Sequence, residues 1–267
     1  MLFSKKIFKI FVIFVVFYHK MVYNDGMEAL IDTHTHTIAS GHHTEDTVVQ
    51  MAIRASIIGL KNLCVTEHAP AMTGAASESY FRNLKFADKK KFGVNLFYGA
   101  ELNVLNVKGQ VDLDRDITKD LAFCIASLHK QVFRPRTERE NTLALVNAMD
   151  NPDVFIIGHP EDPEFPVERT MLVEAAREKG CAIELNSASL SPDGHRTGNF
   201  DWIFKTFILC KRKGVYITLG SDSHGRGRIA DFDECYKFLD EIDFPDELVL
   251  NYYPEKFFQK IAEKKRK

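Results

Sequence analysis

Histidine and carboxylate side chains stand at the ends of short apolar runs in this sequence, and their spacing suits metal binding. His34 and His36 end the first run two positions apart, and Asp222 and His224 repeat that spacing after the last run. Side chains at positions i and i+2 of a strand point to the same side, so each pair could chelate one ion. The other candidates are His42, in the turn after the first run, and His68, Glu101, His129 and His159, at the ends of further runs.

The clustering of these residues outweighs the ordinary interpretation of any one of them. A single histidine is more often a hydrogen-bonded structural residue than a ligand, but here seven of the ten histidines lie at run ends or in the adjoining turn. Imidazole and carboxylate without thiolate select zinc, manganese or iron, and these nine ligands exceed the needs of one ion. The sequence therefore predicts two or three ions. Glu101 could bridge two of them, an arrangement suited to hydrolysis at phosphorus.

The cysteines and the charge balance exclude several other classes of protein. The five cysteines lie far apart and form no C-x-x-C pair, which argues against a disulfide framework or a thiolate zinc site and favours a reducing cytoplasm. Lys and Arg total 35 against 37 Asp and Glu, a net charge of -2 that gives no broad electrostatic basis for binding nucleic acid. An anionic substrate must therefore be bound by local cations.

The elements that position these residues are predicted to alternate between strands and helices from residue 30 onward. The predicted strands are residues 30–34, 62–66, 95–101, 121–127, 154–158, 182–186 and 215–221. Helical periodicity lies between them, as over residues 44–58, where Glu45 and Asp46 would occupy the first turn. Seven successive βα units predict an α/β barrel close to the eight-stranded type, with its active site at the carboxyl ends of the strands. Only the sixth predicted strand ends without a histidine or carboxylate.

The first 26 residues differ in composition from the rest of the chain. A basic start precedes an apolar run over residues 10–18, which is too short for the roughly 20 residues that span a bilayer, and no small-x-small cleavage site follows. We expect residues 1–26 to be an appendage, or a mis-assigned start upstream of Met27. A weak anchor and a cleaved signal are the alternatives, so membrane association or export stays open. Residues 27–267 are expected to form one catalytic domain.

Several stretches together resemble the polymerase and histidinol phosphatase (PHP) family, in particular its short stand-alone phosphatases of YcdX type. They are Asp32-Thr-His-Thr-His-Thr37 continuing to His42, Val65-Thr-Glu-His68, Gly99-Ala-Glu101, Ala126-Ser-Leu-His129, Ile157-Gly-His-Pro160, Glu184-Leu-Asn186 and Gly220-Ser-Asp-Ser-His224. The resemblance covers about residues 30–250. It implies a distorted seven-stranded (β/α)7 barrel of TIM-barrel type that holds three metal ions and hydrolyses phosphoesters.

The resemblance also implies how the ligands divide among the ions. His34, His36, Glu101 and Asp222 would hold the first ion, Glu101, His129 and His159 the second, and His42, His68 and His224 the third. His42, rather than its neighbour His43, matches the spacing of the family. We expect zinc, with manganese or iron as alternatives, and we assign catalytic roles to Glu101, Asp222 and His224.

A phosphate substrate needs cations for its non-bridging oxygens, and the planar fork of arginine suits them. Arg196, after the sixth predicted strand, and Arg226, after His224, are the predicted substrate-binding residues. We expect a small-molecule phosphomonoester as substrate and no nucleic-acid partner, and a membrane partner is disfavoured. The oligomeric state stays open.

Alternative functions follow from the same residues. Histidinol phosphatase is a substrate alternative on the same scaffold. An amidohydrolase also opens a barrel with H-x-H, but that superfamily usually bridges its metals through a lysine on the fourth strand, where this chain has Ser127-Leu128-His129. A non-catalytic metal-binding regulatory protein is disfavoured, because a degenerate site usually loses ligands and none is missing here.

Overall fold

The computed structural model describes residues 29–191 and 199–266, so the predicted appendage (residues 1–26) and Arg196 lie outside the described residues. In the described part of the chain the helices are α1 (Val48–Ile58), α2 (Glu78–Asn83), α3 (Arg115–Thr118), α4 (Glu138–Ala148), α5 (Arg169–Lys179), α6 (Ser187–Leu190), α7 (Phe200–Lys213), α8 (Asp233–Glu241) and α9 (Pro254–Lys265). The strands are β1 (Ile31–Asp32), β2 (Thr35–His36), β3 (Asn62–Val65), β4 (Lys90–Lys91), β5 (Val94–Tyr98), β6 (Ala100–Asn103), β7 (Cys124–Ser127), β8 (Val154–Ile157), β9 (Ala182–Asn186), β10 (Ile217–Gly220) and β11 (Ser223–His224). Over these same residues, no helix combines the length and apolar character needed to cross a membrane.

The strands of the described residues lie in three sheets. Their orders are β1-β3-β5-β4, β10-β9-β8-β7-β6 and β11-β2. Neighbouring strands are parallel in every pair except β4 with β5, which is antiparallel. The predicted α/β class with parallel sheets is therefore confirmed, whereas the described strands form three separate sheets rather than the single closed sheet of a barrel.

The predicted strand over residues 95–101 is divided at Gly99. β5 stays beside β3, and β6 pairs with β7 in the next sheet. A Cβ atom at Gly99 would lie 2.6 Å from the carbonyl oxygen of Phe123, so the backbones approach too closely there for any other residue. The glycine thus allows the chain to pass from one sheet to the next just before Glu101.

The predicted strand over residues 30–34 is shorter in the structure, where β1 covers Ile31–Asp32 and β2 follows at Thr35–His36. Side-chain hydroxyls take up hydrogen bonds that a continuous ladder would use. The Thr33 hydroxyl donates to the carbonyl oxygen of Leu219 at 2.9 Å, and the Thr35 hydroxyl donates to that of Cys64 at 2.6 Å. Because β2 pairs with β11 instead, the second and the last of the described strands meet at the carboxyl ends of the larger sheets.

A side chain, Asn251, links the two larger sheets. Its Oδ1 accepts from the backbone amide of Leu219 at 2.6 Å, and its Nδ2 donates to the carbonyl oxygens of Ile31 at 2.8 Å and of Leu219 at 2.7 Å. Ile31 lies in β1 and Leu219 in β10, so a buried amide side chain takes the place of ladder hydrogen bonds between these strands.

Helix α1 begins later than the predicted segment of residues 44–58. Thr47 and Gln50 form a capping box, in which the Thr47 hydroxyl accepts from the Gln50 amide and the Gln50 side chain accepts from the Thr47 amide. These bonds satisfy two amides that a helix start leaves without partners, and they set the first helical residue at position 48. Glu45 and Asp46 therefore precede the helix rather than occupying its first turn.

The amino-terminal end of the strands is closed by apolar packing. Phe257 and Ile261 of α9 are buried in one cluster with Ile31, Ile125 and Ile156, which come from three different strands. Buried histidines and carboxylates gather at the opposite end, where βα arrangements place their active sites.

Candidate metal centre and active site

The nine predicted metal ligands lie together at the carboxyl ends of the strands. His36 ends β2, Glu101 lies in β6 and His224 ends β11. The other predicted ligands stand just after strands or in the loop behind β2: His34, His42, His68, His129, His159 and Asp222. Parallel strands thus bring to one edge residues that are up to 190 positions apart in the chain, from His34 to His224.

Glu101 lies at the centre of the cluster, and each of its carboxylate oxygens faces different histidines. Oε1 is 2.9 Å from Nε2 of His159 and 3.2 Å from Nε2 of His129. Oε2 is 2.7 Å from Nδ1 of His68. The carboxylate is fully buried. One side chain therefore faces two sets of nitrogen donors, which is the geometry of a bridging ligand.

The two pairs of ligands spaced two residues apart meet in the structure. The Nε2 atoms of His34 and His36 are 3.0 Å apart. Oδ1 of Asp222 is 3.8 Å from the first of these nitrogens and 3.3 Å from the second. Oε2 of Glu101 lies 3.4 Å and 3.5 Å from the same two atoms. Two imidazole nitrogens and two carboxylate oxygens thus face one another around a common centre.

A third group of histidines stacks beside this centre. The ring of His42 is 4.8 Å from that of His68 and 5.0 Å from that of His224, measured between centroids. The exposed ring of His43 is 6.4 Å from that of His224. One ligand atom each from His36, His68 and His224 lie within 4.8 Å of one another. The structure therefore places His42 closer than His43 to the predicted third site.

Hydrogen bonds at Nδ1 orient the imidazoles. The acceptors are Glu184 Oε1 for His34 (2.7 Å), Ser40 Oγ for His36 (2.8 Å), Asn103 Oδ1 for His129 (2.8 Å), Ser40 O for His42 (3.1 Å) and Asp222 O for His224 (3.0 Å). An acceptor at Nδ1 keeps the ring proton there and leaves the lone pair on Nε2, the form that binds a metal. The partners at Nδ1 thus prepare the rings as ligands.

Glu67, for which no role was predicted from the sequence, organises the loop that follows β2. Its Oε2 accepts from the Ser40 hydroxyl at 2.5 Å and from the Thr37 amide at 3.0 Å, and its Oε1 accepts from the Thr37 hydroxyl at 2.5 Å. Since the Ser40 proton points to Glu67, the Ser40 oxygen is left to accept from His36 Nδ1 and from the His68 amide. The buried carboxylate therefore fixes two ligands through one serine.

Glu184 is a second functional residue without a role in the sequence analysis. It lies in β9, the sixth predicted strand, and it is fully buried against His34. Burial opposes its negative charge, but the ring of His34 outweighs that effect and lowers the pKa of Glu184. The signal that could have revealed it is a carboxylate inside an otherwise apolar strand, on the same face as Asn186 two residues later.

Burial and mutual charge set the protonation of the cluster. Burial lowers the pKa of His42 and of His129 to about 4, so both rings are neutral at pH 7. Burial also opposes the charge on Glu101, but the neighbouring imidazoles, of which His129 contributes most, hold the pKa of its carboxyl well below its usual range. Anionic carboxylate and neutral imidazole are the forms that bind divalent ions.

The polar atoms left without hydrogen bonds test whether cations fit here. Among the described residues, four such buried atoms belong to the cluster: His68 Nδ1, Glu101 Oε2, His129 Nε2 and His224 Nε2. The neutral His129 ring keeps its proton at Nδ1, so the lone pair on its Nε2 faces Oε1 of Glu101 at 3.2 Å, an arrangement that a cation between the two atoms would make favourable. With nitrogen and oxygen donors and no thiolate, the cluster has the composition of a divalent-metal site.

The predicted substrate-binding residue Arg226 faces a carboxylate outside the cluster. Its backbone amide donates to Oδ2 of Asp46 at 2.8 Å, and its Nε is 3.6 Å from Oδ1 of the same residue. The Arg226 side chain is 58% exposed. In the structure Arg226 therefore lies at the rim with Asp46, while the predicted partner Arg196 falls outside the described residues.

Comparison with known proteins agrees with this geometry. The PHP domain is matched over residues 32–188. A probable phosphatase of Clostridium novyi (strain NT) is 44% identical over 238 residues, which are 89% of this chain and 96% of that protein. A probable phosphatase of Acetivibrio thermocellus is 40% identical over 241 residues, which are 90% of this chain and 98% of that protein.

A solved structure shares the fold at low sequence identity. It is the histidinol phosphate phosphatase of Lactococcus lactis, complexed with zinc, L-histidinol and phosphate, with a TM-score of 0.57 and 19% identity over 82% of this chain and 95% of that chain. The matched domain and the two relatives confirm the family that the sequence motifs indicate. The chain belongs to the PHP domain family, and its place among relatives named probable phosphatases identifies it as a phosphatase-type hydrolase.

Proposed function

We propose that this protein is a metal-dependent phosphatase that hydrolyses a small-molecule phosphomonoester at a centre of three divalent ions. The observation that carries the proposal is the position of Glu101, whose two oxygens face separate histidine groups. A carboxylate in that position can bridge neighbouring ions, and ions a few ångströms apart suit displacement at phosphorus.

The proposed assignment of ligands follows the three donor groups. His34, His36, Glu101 and Asp222 would hold the first ion, Glu101, His129 and His159 the second, and His42, His68 and His224 the third. The overlapping donor triplets His36-His68-His224, His34-His36-Glu101 and His68-Glu101-His129 support closely spaced sites. Zinc is the proposed resident ion, and manganese or iron also match these donors.

Divalent ions bound there would lower the pKa of water and neutralise charge on the phosphoryl oxygens, which is the chemistry of in-line attack at phosphorus. Nδ2 of Asn186 donates to Oδ2 of Asp222 at 3.4 Å. This bond holds the Asp222 carboxylate so that Oδ1 of Asp222 faces His36. His224 is one of the partly exposed rings of the cluster, with 20% of its side chain accessible, and its Nδ1 lies 3.6 Å from Oδ1 of Asp222. We assign to His224 a place beside the departing alcohol, because it is open to an incoming ester and adjoins Asp222 of the first donor group.

The proposal extends to the architecture and the location. We propose that residues 27–267 form a catalytic domain with the shape of a distorted seven-stranded barrel, supported by the Asn251 link between β1 and β10. Residues 1–26 would be an appendage to it. The five cysteines are buried and none is in a disulfide, which supports a reducing compartment, the cytoplasm.

A phosphate-release screen tests the activity. Chelator-treated protein would be reloaded with zinc or manganese and assayed on sugar phosphates, nucleotides, histidinol phosphate and an aryl phosphate. Histidinol phosphate is included because the Lactococcus lactis protein of this fold is a histidinol phosphate phosphatase. We expect release from at least one monoester that chelator abolishes. Absence of release from all of them by fully loaded protein would refute the phosphatase proposal.

Isotope labelling tests the direct attack of water. Hydrolysis in oxygen-18 water should place one labelled oxygen in the released phosphate, and a phosphorus made chiral by isotopes should invert. Retention of configuration would require a phosphoryl-enzyme intermediate and would exclude this mechanism.

A further inference from the structure

A buried carboxylate on a strand that supplies none of the predicted ligands contacts the centre. Oε1 of Glu184 is 2.7 Å from Nδ1 of His34. It therefore keeps the His34 proton on Nδ1 and turns Nε2 toward Oε2 of Glu101, 3.4 Å away. Glu184 and His34 are 150 positions apart in the chain, so this contact joins β9 to the segment that follows β1.

The second oxygen of Glu184 holds another ligand through its backbone. Oε2 accepts from the His159 amide at 2.8 Å and from Nδ2 of Asn186 at 3.1 Å. His159 has a φ of 28°, a left-handed conformation that costs free energy in a residue other than glycine. The bond to its amide holds this conformation, in which the His159 ring reaches Glu101.

The neighbouring strand leaves room for this carboxylate. A Cβ atom at Gly220 would lie 1.9 Å from Oε1 of Glu184 and 2.8 Å from Cβ of His34. Gly220 pairs with Asn186 in the parallel ladder of β9 and β10. Only a residue without a side chain fits at this position while Glu184 keeps its place.

We propose that Glu184 is a positioning residue of the metal centre, which aligns His34 and His159 and thereby sets the affinity for the ions they would hold. The inference rests on the proposed metal centre and adds to it a residue outside the ligand set. A carboxylate is required because its described polar contacts are all with donors: the His34 ring, the His159 amide and the Asn186 amide group.

The test is the zinc affinity of Glu184→Gln, measured on chelator-treated protein by competition with a chromophoric chelator. The glutamine NH2 group would face either the His34 proton or the two amide donors, so one set of bonds must break. We expect zinc binding about 10- to 100-fold weaker than in the wild type, the usual cost of losing such a partner. The visible bands of the cobalt-loaded variant should also shift.

Asp153→Asn is the matched control. Asp153 is a buried carboxylate that accepts from the Thr118 hydroxyl at 2.8 Å. It directly precedes β8, whereas His159 follows the other end of that strand. We expect this variant to have a lower melting temperature and unchanged zinc affinity. Unchanged zinc affinity in Glu184→Gln, or an equal loss in Asp153→Asn, would overturn the inference.

A second variant keeps the test decisive if Glu184→Gln does not fold. Gly220→Ala displaces the Glu184 carboxylate without removing its charge and also crowds His34, the ligand that this carboxylate orients, so it should weaken zinc binding by at least about tenfold. Gly227→Ala is its control, because nothing lies within 4 Å of a Cβ atom there. If the wild type binds zinc and Gly220→Ala binds it equally tightly, only the role of Glu184 would be overturned. A wild type that binds no divalent ion would overturn the proposed metal centre as well.

Discussion

The interior of the cluster and its rim are held in different ways. In the interior group (His34, Glu101 and His159) the side chains are buried, and the Nδ1 of His34 and the amide of His159 are bound by one carboxylate of a neighbouring strand. In the rim group (His42 and His224) the rings are half-buried, and their Nδ1 atoms donate to backbone carbonyl oxygens of loops, at 3.1 Å and 3.0 Å.

This difference separates two tasks within one site. His34 and His159 of the interior group are bound by a carboxylate that lies in β9, so their geometry is set by the sheet before any ion or substrate arrives. The rings of the rim group are partly exposed and bound at Nδ1 by backbone carbonyl oxygens, so they can adjust to a substrate. We therefore expect substitutions in the interior group to cost more than substitutions in the rim group.

The largest effect is expected for Glu101→Gln. Only a carboxylate offers two anionic oxygens, and both oxygens of Glu101 face histidine nitrogens. We expect the loss of two ions per chain and a fall in phosphate release of at least about a hundredfold. Elemental analysis measures the number of ions per chain in the variant and in the wild type, which is expected to hold three. Full metal content in the variant, or a wild type with one ion or none after reloading, would contradict the bridging role.

A smaller effect is expected at the rim, where His42→Ala and His43→Ala form a matched pair. His42 lies 4.8 Å from the ring of His68, whereas His43 is exposed and stands 6.4 Å from His224. We expect His42→Ala to lose one ion and about tenfold in activity, and His43→Ala to change neither by more than about twofold. The reverse pattern of metal content would show that His43 is the ligand.

The stability of the metal-free protein should depend on pH through the same buried rings. The pKa of His129 and that of His42 are lowered to about 4, while histidines in the unfolded chain titrate near pH 6.5. Between about pH 6.5 and 4 these two rings therefore bind more protons in the unfolded state, and their contribution to stability falls as the pH falls. Burial disfavours the charged form of His34, but the carboxylates of Glu184, Glu101 and Asp222 raise the pKa of this ring well above its usual value. His34 is therefore protonated in the folded and the unfolded state in this window.

Urea unfolding of chelator-treated protein at several pH values measures this dependence. His129→Gln removes the more deeply buried of the two rings and should make the fall in stability between pH 7 and pH 5 shallower. His43→Ala serves as the control with an exposed ring. An equal slope in His129→Gln and in the wild type would rule out this origin of the pH dependence.

The smallest effect is expected for Arg226→Ala. Its guanidinium is largely exposed and faces Asp46, and exposed pairs of this kind contribute about 1 kcal/mol or less. We expect KM to rise by less than about fivefold, with kcat unchanged. Asp46→Asn, which releases the arginine from its carboxylate, is the companion variant. A large fall in kcat for Arg226→Ala would instead place this arginine on the reacting phosphoryl group.

The sequence by itself determined which residues could be ligands and on which elements they stand. The two-residue spacing of His34 with His36 and of Asp222 with His224 follows from the period of a strand, which is a local property. The alternation of strands and helices was also predictable, because apolar runs and helical periods are local signals. The motifs built on them were sufficient to indicate the PHP family, which the matched domain confirms.

Only the tertiary structure decided how those ligands are held. Glu184 meets His34 across 150 positions of sequence, and Glu67 reaches Ser40 across 27, and neither spacing has a periodic signature. The break at Gly99 likewise depends on the approach of Phe123, the residue that directly precedes β7. Ligands at a short spacing follow the period of their own strand. A residue that orients a ligand of another strand can do so only if the two strands become neighbours, and the packing of the whole domain decides which strands are neighbours.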